Sequence, residues 1–488
     1  MVVEKLTILH ISDLHRSSDN SISNVSLLSS LCRDSDNYYN DKILKPDLII
    51  VSGDIAQGSN DFENADKILI EQYKEAHDFL VSLADELLNG DRNKIILVPG
   101  NHDICWKESI LSMKKIDENK FLDNNQEVKN YYLKEINKSN SNIRWSWKDR
   151  SFYAIEDNNM YYNRLSYFAN FYKEFYNNQK EYSLNPKDQY DIFDFEEWGI
   201  TVIGLNSCYN NDHLNRTGTI SPDSIGNISL NLRHLSKEKR LILAAWHHNI
   251  NGSPHRQDYM DNYIIQNFIA YDIKIGFHGH QHKSEIIRAE NNIVENKKMI
   301  ILSAGSICAG PNELPSGYKQ QYNILELIRI NDNEIELKIN SREKTPESSF
   351  ENPIWQKGLI NSLEPYVKLK LEHEKKIVNE LEILGKAEKL YKENEIEEAI
   401  KLLDNLDKND PFVRKILIEC YLKLDDKEEE IIKLFNNPKN SLEAVALINA
   451  VLEVNNKEYI KNAYKNDYIN KSEDPIIKEL KKLLEVKI

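Results

Sequence analysis

The segment GFHGHQHKSE, Gly276 to Glu285, sets His278, His280 and His282 on alternate residues. In an extended chain alternate side chains share a face, so three imidazoles could converge on one point. Four other short clusters carry the same kinds of group: Asp13-Leu14-His15, Gly53-Asp54, Gly100-Asn101-His102-Asp103 and His247-His248. Together they offer carboxylates, neutral imidazoles and an amide oxygen, with no thiolate. That mixed set suits Mn, Fe, Zn or Co better than a structural zinc cage. One carboxylate can bridge two ions about 3.5–4 Å apart, a clamp that neutralises an anionic ester and activates water for in-line attack. The departing alkoxide then needs a proton, a task for which histidine is the usual side chain.

Each cluster alone has an ordinary explanation. An aspartate after a strand often caps a helix, and asparagine, histidine and aspartate all suit turns. The specific signal is their order and position. KLTILHIS (5–12), PDLIIVSGD (46–54), NKIILVPGNHD (93–103), GITVIGLNS (199–207), RLILAAWHH (240–248), DIKIGFHGH (272–280) and KKMIILSAGS (297–306) all read as short buried strands. Nearly all end in a polar cluster, and ligands gather at the carboxyl ends of strands in α/β sheets. Helical patterns over 64–88 and 225–238 lie between them, which predicts a layered α/β domain. QYNILELIRI (321–330) and NEIELKINS (333–341) read as a closing hairpin.

The constellation D-x-H, GD, GNH, H and GHxH resembles that of the calcineurin-like metallophosphoesterases, across residues 5–340. The resemblance implies a four-layer α/β/β/α sandwich with two metals at one sheet edge. It implies that Asp13, His15, Asp54 and His282 hold the first metal. Asp54 would bridge, and Asn101, His247 and His280 would hold the second. His102 would act as general acid, or stabilise charge on the departing oxygen, and Asp103 would orient its ring. Two divalent cations are the implied cofactors, Mn2+ first, with Fe, Zn, Co or Ni as alternatives. GDIAQGS and GNHD look closer to the family's bacterial phosphodiesterase branch than to its Ser/Thr phosphatases.

Neighbouring residues extend the site. Successive strand residues face opposite ways, so only one of His247 and His248 can be a ligand. The family pattern favours His247 and leaves His248 to line the substrate cleft. The loop 206–221 adds Asn206, His213 and Arg216, and Arg216 could clamp a phosphate, the alternative being a solvated loop arginine. His278 precedes Gly279 and reads as a hydrogen-bonded packing residue beside the ligands. An aromatic-rich insert, about 105–190, interrupts the alternation. Its stretch 161–176 spaces Leu165, Phe168, Ala169, Tyr172, Phe175 and Tyr176 as a helix, which would pack on the domain or form a lid.

The boundaries expected are a catalytic domain over 1–341, a connector over 342–364 and an all-α, repeat-like domain over 365–488. Residues 387–411 resemble a tetratricopeptide repeat, with Asn394 where a turn glycine is usual, and 416–435 resemble a weaker second copy. Such arrays bind proteins, so a partner-binding role is the alternative class of function. The net charge of -15 disfavours non-specific binding to nucleic acid, yet a nuclease remains the nearest rival to a small-nucleotide phosphodiesterase. Five scattered cysteines with no CxxC pair favour a reducing compartment. No signal peptide or membrane span is apparent, so the expected location is the cytoplasm.

Overall fold

Short runs of β-branched and leucine residues make the strands of the amino-terminal unit. The computed structural model describes residues 5–17, 22–117, 126–136, 138, 141–235, 240–250, 259–291, 297–310, 313–315, 317–331, 334–360, 366–372, 376–404 and 406–487. These fall into two compact units, 1–373 and 374–488.

The strands are β1 (Lys5–Ile11), β2 (Leu48–Val51), β3 (Ile95–Leu97), β4 (Met113–Lys115), β5 (Ile143–Ser146), β6 (Ser151–Ile155), β7 (Tyr190–Phe195), β8 (Ile200–Leu205), β9 (Leu241–Ala245), β10 (Ile273–His278), β11 (Glu285–Asn291), β12 (Lys297–Ser303), β13 (Gln321–Asn331), β14 (Glu334–Lys344), β15 (Trp355–Lys357) and β16 (Tyr366–Glu372). One sheet runs β15-β14-β13-β1-β2-β3, with β16 also paired to β14. A second runs β11-β12-β10-β9-β8-β7, and the insert supplies a small sheet, β4-β6-β5. The central strands β1, β2 and β3 are mutually parallel, as are β8, β9, β10 and β12, so the carboxyl ends of each set lie at one edge.

Burial resolves four layers. Ile8 of β1 shares a core with Val202 of β8, Leu243 of β9 and Phe277 of β10, and His10, on the same face of β1, lies 5.0 Å from the Phe277 ring between the sheets. The same cluster reaches Leu27 and Leu31 of α1 (Asn24–Asp36) and Phe79 and Leu83 of α2 (Ala65–Leu88) on the far side of the first sheet. Alternate residues of the second sheet, Ile203 and Ile242, instead meet Ile228 and Leu232 of one helix (Pro222–Leu235) and Ile264 and Phe268 of another (Asn262–Ala270). The result is the expected α/β/β/α sandwich, with period-two alternation sending side chains to two different cores.

The insert packs its aromatics inward. The expected helix breaks at Arg164 and Leu165 into Asn158–Asn163 and Ser166–Phe175. Phe168, Tyr172, Phe175 and Tyr176 are buried in the main core, so this face serves packing and not a lid. Residues 118–125, 137 and 139–140 of the insert lie outside the described residues.

The sheet extends beyond the boundary read from the sequence. β13 and β14 form the expected hairpin, although Asp332 and Asn333 lie outside the described residues. Within 342–364, β15 pairs with the end of β14, and β16 then adds along β14 from Asn340 to Glu334. The reason was legible: YVKLKLE alternates apolar and polar residues with the period of a strand. Pro365 lies outside the described residues.

The carboxy-terminal unit is helical from Lys376 to Lys487, with its own core around Ala399, Leu417, Phe435 and Ile448. Asn394 joins the helices Lys376–Lys392 and Ile396–Leu403 in the left-handed region, at φ 67°. Asparagine tolerates that conformation, which explains how it stands in for glycine. Beyond residue 435 there are four helices: Ser441–Val454, Lys457–Tyr464, Asp467–Lys471 and Pro475–Lys487.

Candidate metal centre

The carboxyl edges of the two sheets meet, and the sequence clusters meet with them. Backbone ladders continue past the strands: Asp13 N–H donates to Gly53 O and His15 N–H to Asp54 O, at 3.1 and 2.9 Å. In the second sheet, Gly279 N–H donates to His247 O at 3.1 Å, continuing the β10–β9 ladder. Five residues here have positive φ despite carrying side chains: Asp13 (53°), His15 (42°), Asp54 (50°), His280 (71°) and His282 (54°). Such backbone is held only where the surroundings over-determine it, and it clusters at functional sites. Gly279 is fixed by space. A Cβ there would lie 1.8 Å from Ser12 Oγ and 2.5 Å from Asp13 Oδ2.

Three donor groups form, each with ligand atoms within 4.8 Å of one another: Asp13, His15 and His282; His15, Asp54 and His102; and Asp54, His247 and His280. His15 links the first group to the second, and Asp54 links the second to the third. His282 Nε2 lies 3.3 Å from Asp13 Oδ1, and His247 Nε2 lies 3.1 Å from Asp54 Oδ2. Asn101 Oδ1 joins the third group, 3.0 Å from His247 Nε2 and 2.9 Å from His280 Nδ1. Carbonyls hold several rings by the other nitrogen: Ser52 O is 2.9 Å from His247 Nδ1, and Glu313 O is 3.1 Å from His282 Nδ1. Because a carbonyl only accepts, those Nδ1 atoms carry the proton, which leaves Nε2 free to ligate.

Charge at the site favours cations. Burial pushes the Asp54 carboxyl up, but His247 and His102 outweigh it and hold it well below the usual range. Burial likewise opposes ionisation of Asp13, and His282 overcomes it. Burial lowers His247, yet Asp54 raises it to about 9, so this pair is ionised without metal. His15 is pushed down to about 4 by burial and by His102. Two anionic carboxylates, four converging imidazoles and an amide oxygen fit a pair of divalent cations, and the imidazolium–carboxylate contact at Asp54 is what a cation would replace.

The remaining predicted residues divide. His102 is exposed, its ring 4.7 Å from that of His15, and its Nδ1 lies 2.6 Å from Gln57 O. That partner corrects the role expected of Asp103. Its carboxylate accepts from the N–H groups of Ile55, Ala56 and Gly100 at 3.2, 3.0 and 2.7 Å, and from Tyr73 OH at 2.9 Å. Asp103 thus ties the turns after β2 and β3 together, while a carbonyl orients His102. Burial, with Asp54 nearby, raises its pKa to about 6.

His248 and Asn206 depart from the expected substrate contacts. His248 is fully buried, with Nδ1 2.9 Å from Ser207 Oγ and Nε2 3.2 Å from Asn211 Nδ2. Burial, His280 and His247 hold it well below its ordinary pKa, so it is a neutral packing residue behind His280. Asn206 is also buried. It donates to Gln189 Oε1 at 2.8 Å and accepts from Cys208 N–H at 2.8 Å, so it holds the start of the loop. Arg216 is exposed and lies over the Trp106 ring at 5.7 Å, and His213 Nδ1 lies 3.2 Å from Ser109 Oγ. His278 is buried, stacked on Trp246, with Nδ1 3.0 Å from Gly279 O.

Sequence reasoning missed the residues that shape the site from behind. Arg144 donates to Asp212 at 2.7 Å and to Tyr161 OH at 2.9 Å, and Tyr161 OH donates to Asp212 at 2.8 Å. Fully buried Arg164 donates to the carbonyls of Asn211, Cys208 and Tyr209. The insert thereby pins the loop 206–219 against the histidines. The only sequence signal was two arginines within an aromatic segment.

A model of the calcineurin-like phosphoesterase family matches residues 6–284, more than half of the chain's 488 residues. No curated protein matches by sequence. Among solved structures, the chain is similar to a dimetal phosphatase from Danio rerio, at 9% identity over 68% of this chain and 95% of that one, TM-score 0.36. It is also similar to the calcineurin-like phosphoesterase YfkN from Bacillus subtilis, at 11% identity over 76% of this chain and 91% of that one, TM-score 0.26. Vacuolar Protein Sorting 29 from Cryptosporidium parvum matches at 8% identity over 76% of this chain and 100% of that one, TM-score 0.26. The family is dinuclear and metal-dependent, and the chain carries matching donor clusters. It belongs to the calcineurin-like phosphoesterases.

Proposed function

We propose that this phosphoester hydrolase is a two-metal phosphodiesterase of the cytoplasm, loaded with Mn2+. The observation that carries the reading is Asp54, which stands between two donor groups and belongs to both. In this reading Asp13, His15, Asp54 and His282 hold one ion, and Asp54, Asn101, His247 and His280 hold the other. When bound, the ions supply charge neutralisation and a nucleophile from water. The chain's own residues do the rest. Gln57 O fixes the His102 ring through Nδ1–H at 2.6 Å, which leaves Nε2–H to donate to the departing oxygen. Asp103 keeps the two turns that carry Asp54 and His102 at a fixed separation. Arg216, exposed over Trp106, is available to a phosphate oxygen. The helical unit is read as a tetratricopeptide-like array for a protein partner, with the catalytic domain ending near the last sheet strands.

The test is a substrate panel with Mn2+: an aryl phosphodiester, an aryl phosphomonoester and a labelled single-stranded oligonucleotide. The diester should be cleaved fastest, and His102→Ala should lower its turnover about 10²–10⁴-fold with metal retained. Preferred cleavage of the monoester would overturn the diesterase assignment, and preferred cleavage of the oligonucleotide would make the chain a nuclease. Full activity in His102→Ala would remove that residue's role.

A further inference from the structure

A cavity of about 430 Å³ lies where the insert meets the loop 206–219, and the ligands proposed above do not use it. Trp145 and Trp147 of the insert line it, together with Arg144, Tyr259, Asn215 and Thr219. The two indoles meet edge to face, 5.9 Å apart, and Trp145 is braced from behind by Phe152 at 4.8 Å. Trp147 is 84% exposed, an uncommon position for the largest apolar side chain. The Thr219 hydroxyl is buried and has no hydrogen-bond partner, although its residue forms the cavity wall. Buried hydroxyls are normally satisfied, so an orphan on a residue that lines a cavity marks a place where a ligand or water supplies the partner.

The same wall backs onto the metal centre. Thr219 N–H donates to Ser207 O at 2.8 Å, and Ser207 Oγ lies 2.9 Å from His248 Nδ1. A Cβ on Gly218 would sit 2.4 Å from His248 Cβ, and the His248 ring is 4.9 Å from that of His280. One thickness of chain therefore separates the cavity from the imidazoles. Its floor is rigid, because the Arg144 guanidinium is locked to Asp212 and Tyr161. Planar indole faces beside a fixed guanidinium and an unpartnered hydroxyl form a combination that suits a planar, hydrogen-bonding ring.

We propose that this cavity is a base-binding subsite: it stacks the nucleobase of a phosphodiester on Trp147 and meets the base edge at Thr219. The assignment rests on the phosphodiesterase reading for its adjacency to the reacting phosphate, but base binding is measurable without catalysis. A free nucleotide and one base of a strand present the same ring, and the test separates them.

Calorimetry of the Mn2+-loaded full chain with adenosine 5′-monophosphate and with ribose 5-phosphate isolates the base. The nucleotide should bind at least about tenfold tighter, the scale of one stacked base. Trp147→Ala and Thr219→Val should each bring the nucleotide toward the sugar phosphate and leave the sugar phosphate unchanged. Equal affinities in the parent, or no loss in Trp147→Ala, would overturn the subsite. Trp147 is exposed, so its replacement leaves folding intact, and a circular dichroism spectrum checks this. A single-stranded oligonucleotide bound more tightly than the mononucleotide, again through Trp147, would support the subsite and assign it to a strand. Hydrolysis of an aryl phosphodiester by the same preparations separates the two claims. Cleavage without base discrimination sinks the subsite alone, whereas discrimination without cleavage sinks the phosphodiesterase reading alone.

Discussion

Replacing Asp103 by alanine would strip the acceptor from three backbone N–H groups and one phenol at once. Ile55, Ala56 and Gly100 all donate to this carboxylate, with Tyr73 OH, in a site without solvent exposure. A buried donor left without a partner costs about 1–3 kcal/mol. The three amides share two adjoining turns, so their losses overlap and do not simply add. We expect Asp103→Ala to destabilise the catalytic unit by about 3–5 kcal/mol, a large fraction of an ordinary domain's stability of about 5–15 kcal/mol. Asp103→Asn keeps one acceptor oxygen and should recover part of the loss. Urea unfolding followed by circular dichroism gives the stability, and hydrogen exchange over residues 53–57 reports the turn itself. Suppose Asp103→Ala unfolds within about 1 kcal/mol of the parent while its turnover falls as far as that of His102→Ala. The carboxylate would then act through the histidine, as the sequence alone suggested, and the tie between turns would be wrong.

Two other perturbations probe the geometry. Gly279→Ala would drive a methyl group into Ser12 Oγ and Asp13 Oδ2, at 1.8 and 2.5 Å, so Asp13 must move. We expect a stability loss of about 1–3 kcal/mol and weaker binding of one cation, read by melting and metal analysis; an unchanged metal content would count against the packing argument. On the second sheet, burial raises the Asp194 carboxyl, but hydrogen bonds from Arg240 and Thr201 lower it on balance. A depressed folded pKa stabilises above the unfolded value, about 3.9, and the gain disappears as pH falls below it. Asp194→Asn should therefore lose about 0.5–1 kcal/mol at pH 7, screened by its partial exposure, and nothing near pH 2; equal losses at both values would refute the linkage.

How much the sequence revealed depended on what kind of group carried each feature. Asp13, His15, Asp54, Asn101, His247, His280 and His282 were legible because they bring unusual donor types to the ends of recognisable strands. The strands were legible from their apolar runs, and β16 would have been too, had its alternation been weighed against the helical composition around it. The supports were not. Ser52, Gln57 and Glu313 hold the site histidines through backbone carbonyls, which leave no mark on residue type. The burial of Asn206 and His248 follows from the loop 206–219 being clamped by Arg144 and Tyr161, pairs 68 and 51 residues apart from Asp212. Contacts that long-range are set by tertiary packing, and no local pattern announces them. Asp103 illustrates the hazard of adjacency: it neighbours His102 in sequence, yet its carboxylate serves the turn after β2.

Asp54 is proposed to be shared by two cations. Metal analysis of the full chain, reconstituted with Mn2+ and desalted, tests it directly beside Asp54→Ala. The parent chain should hold about two ions and the variant less than one, with the fold retained by circular dichroism. An Asp54→Ala chain that keeps both ions would contradict it.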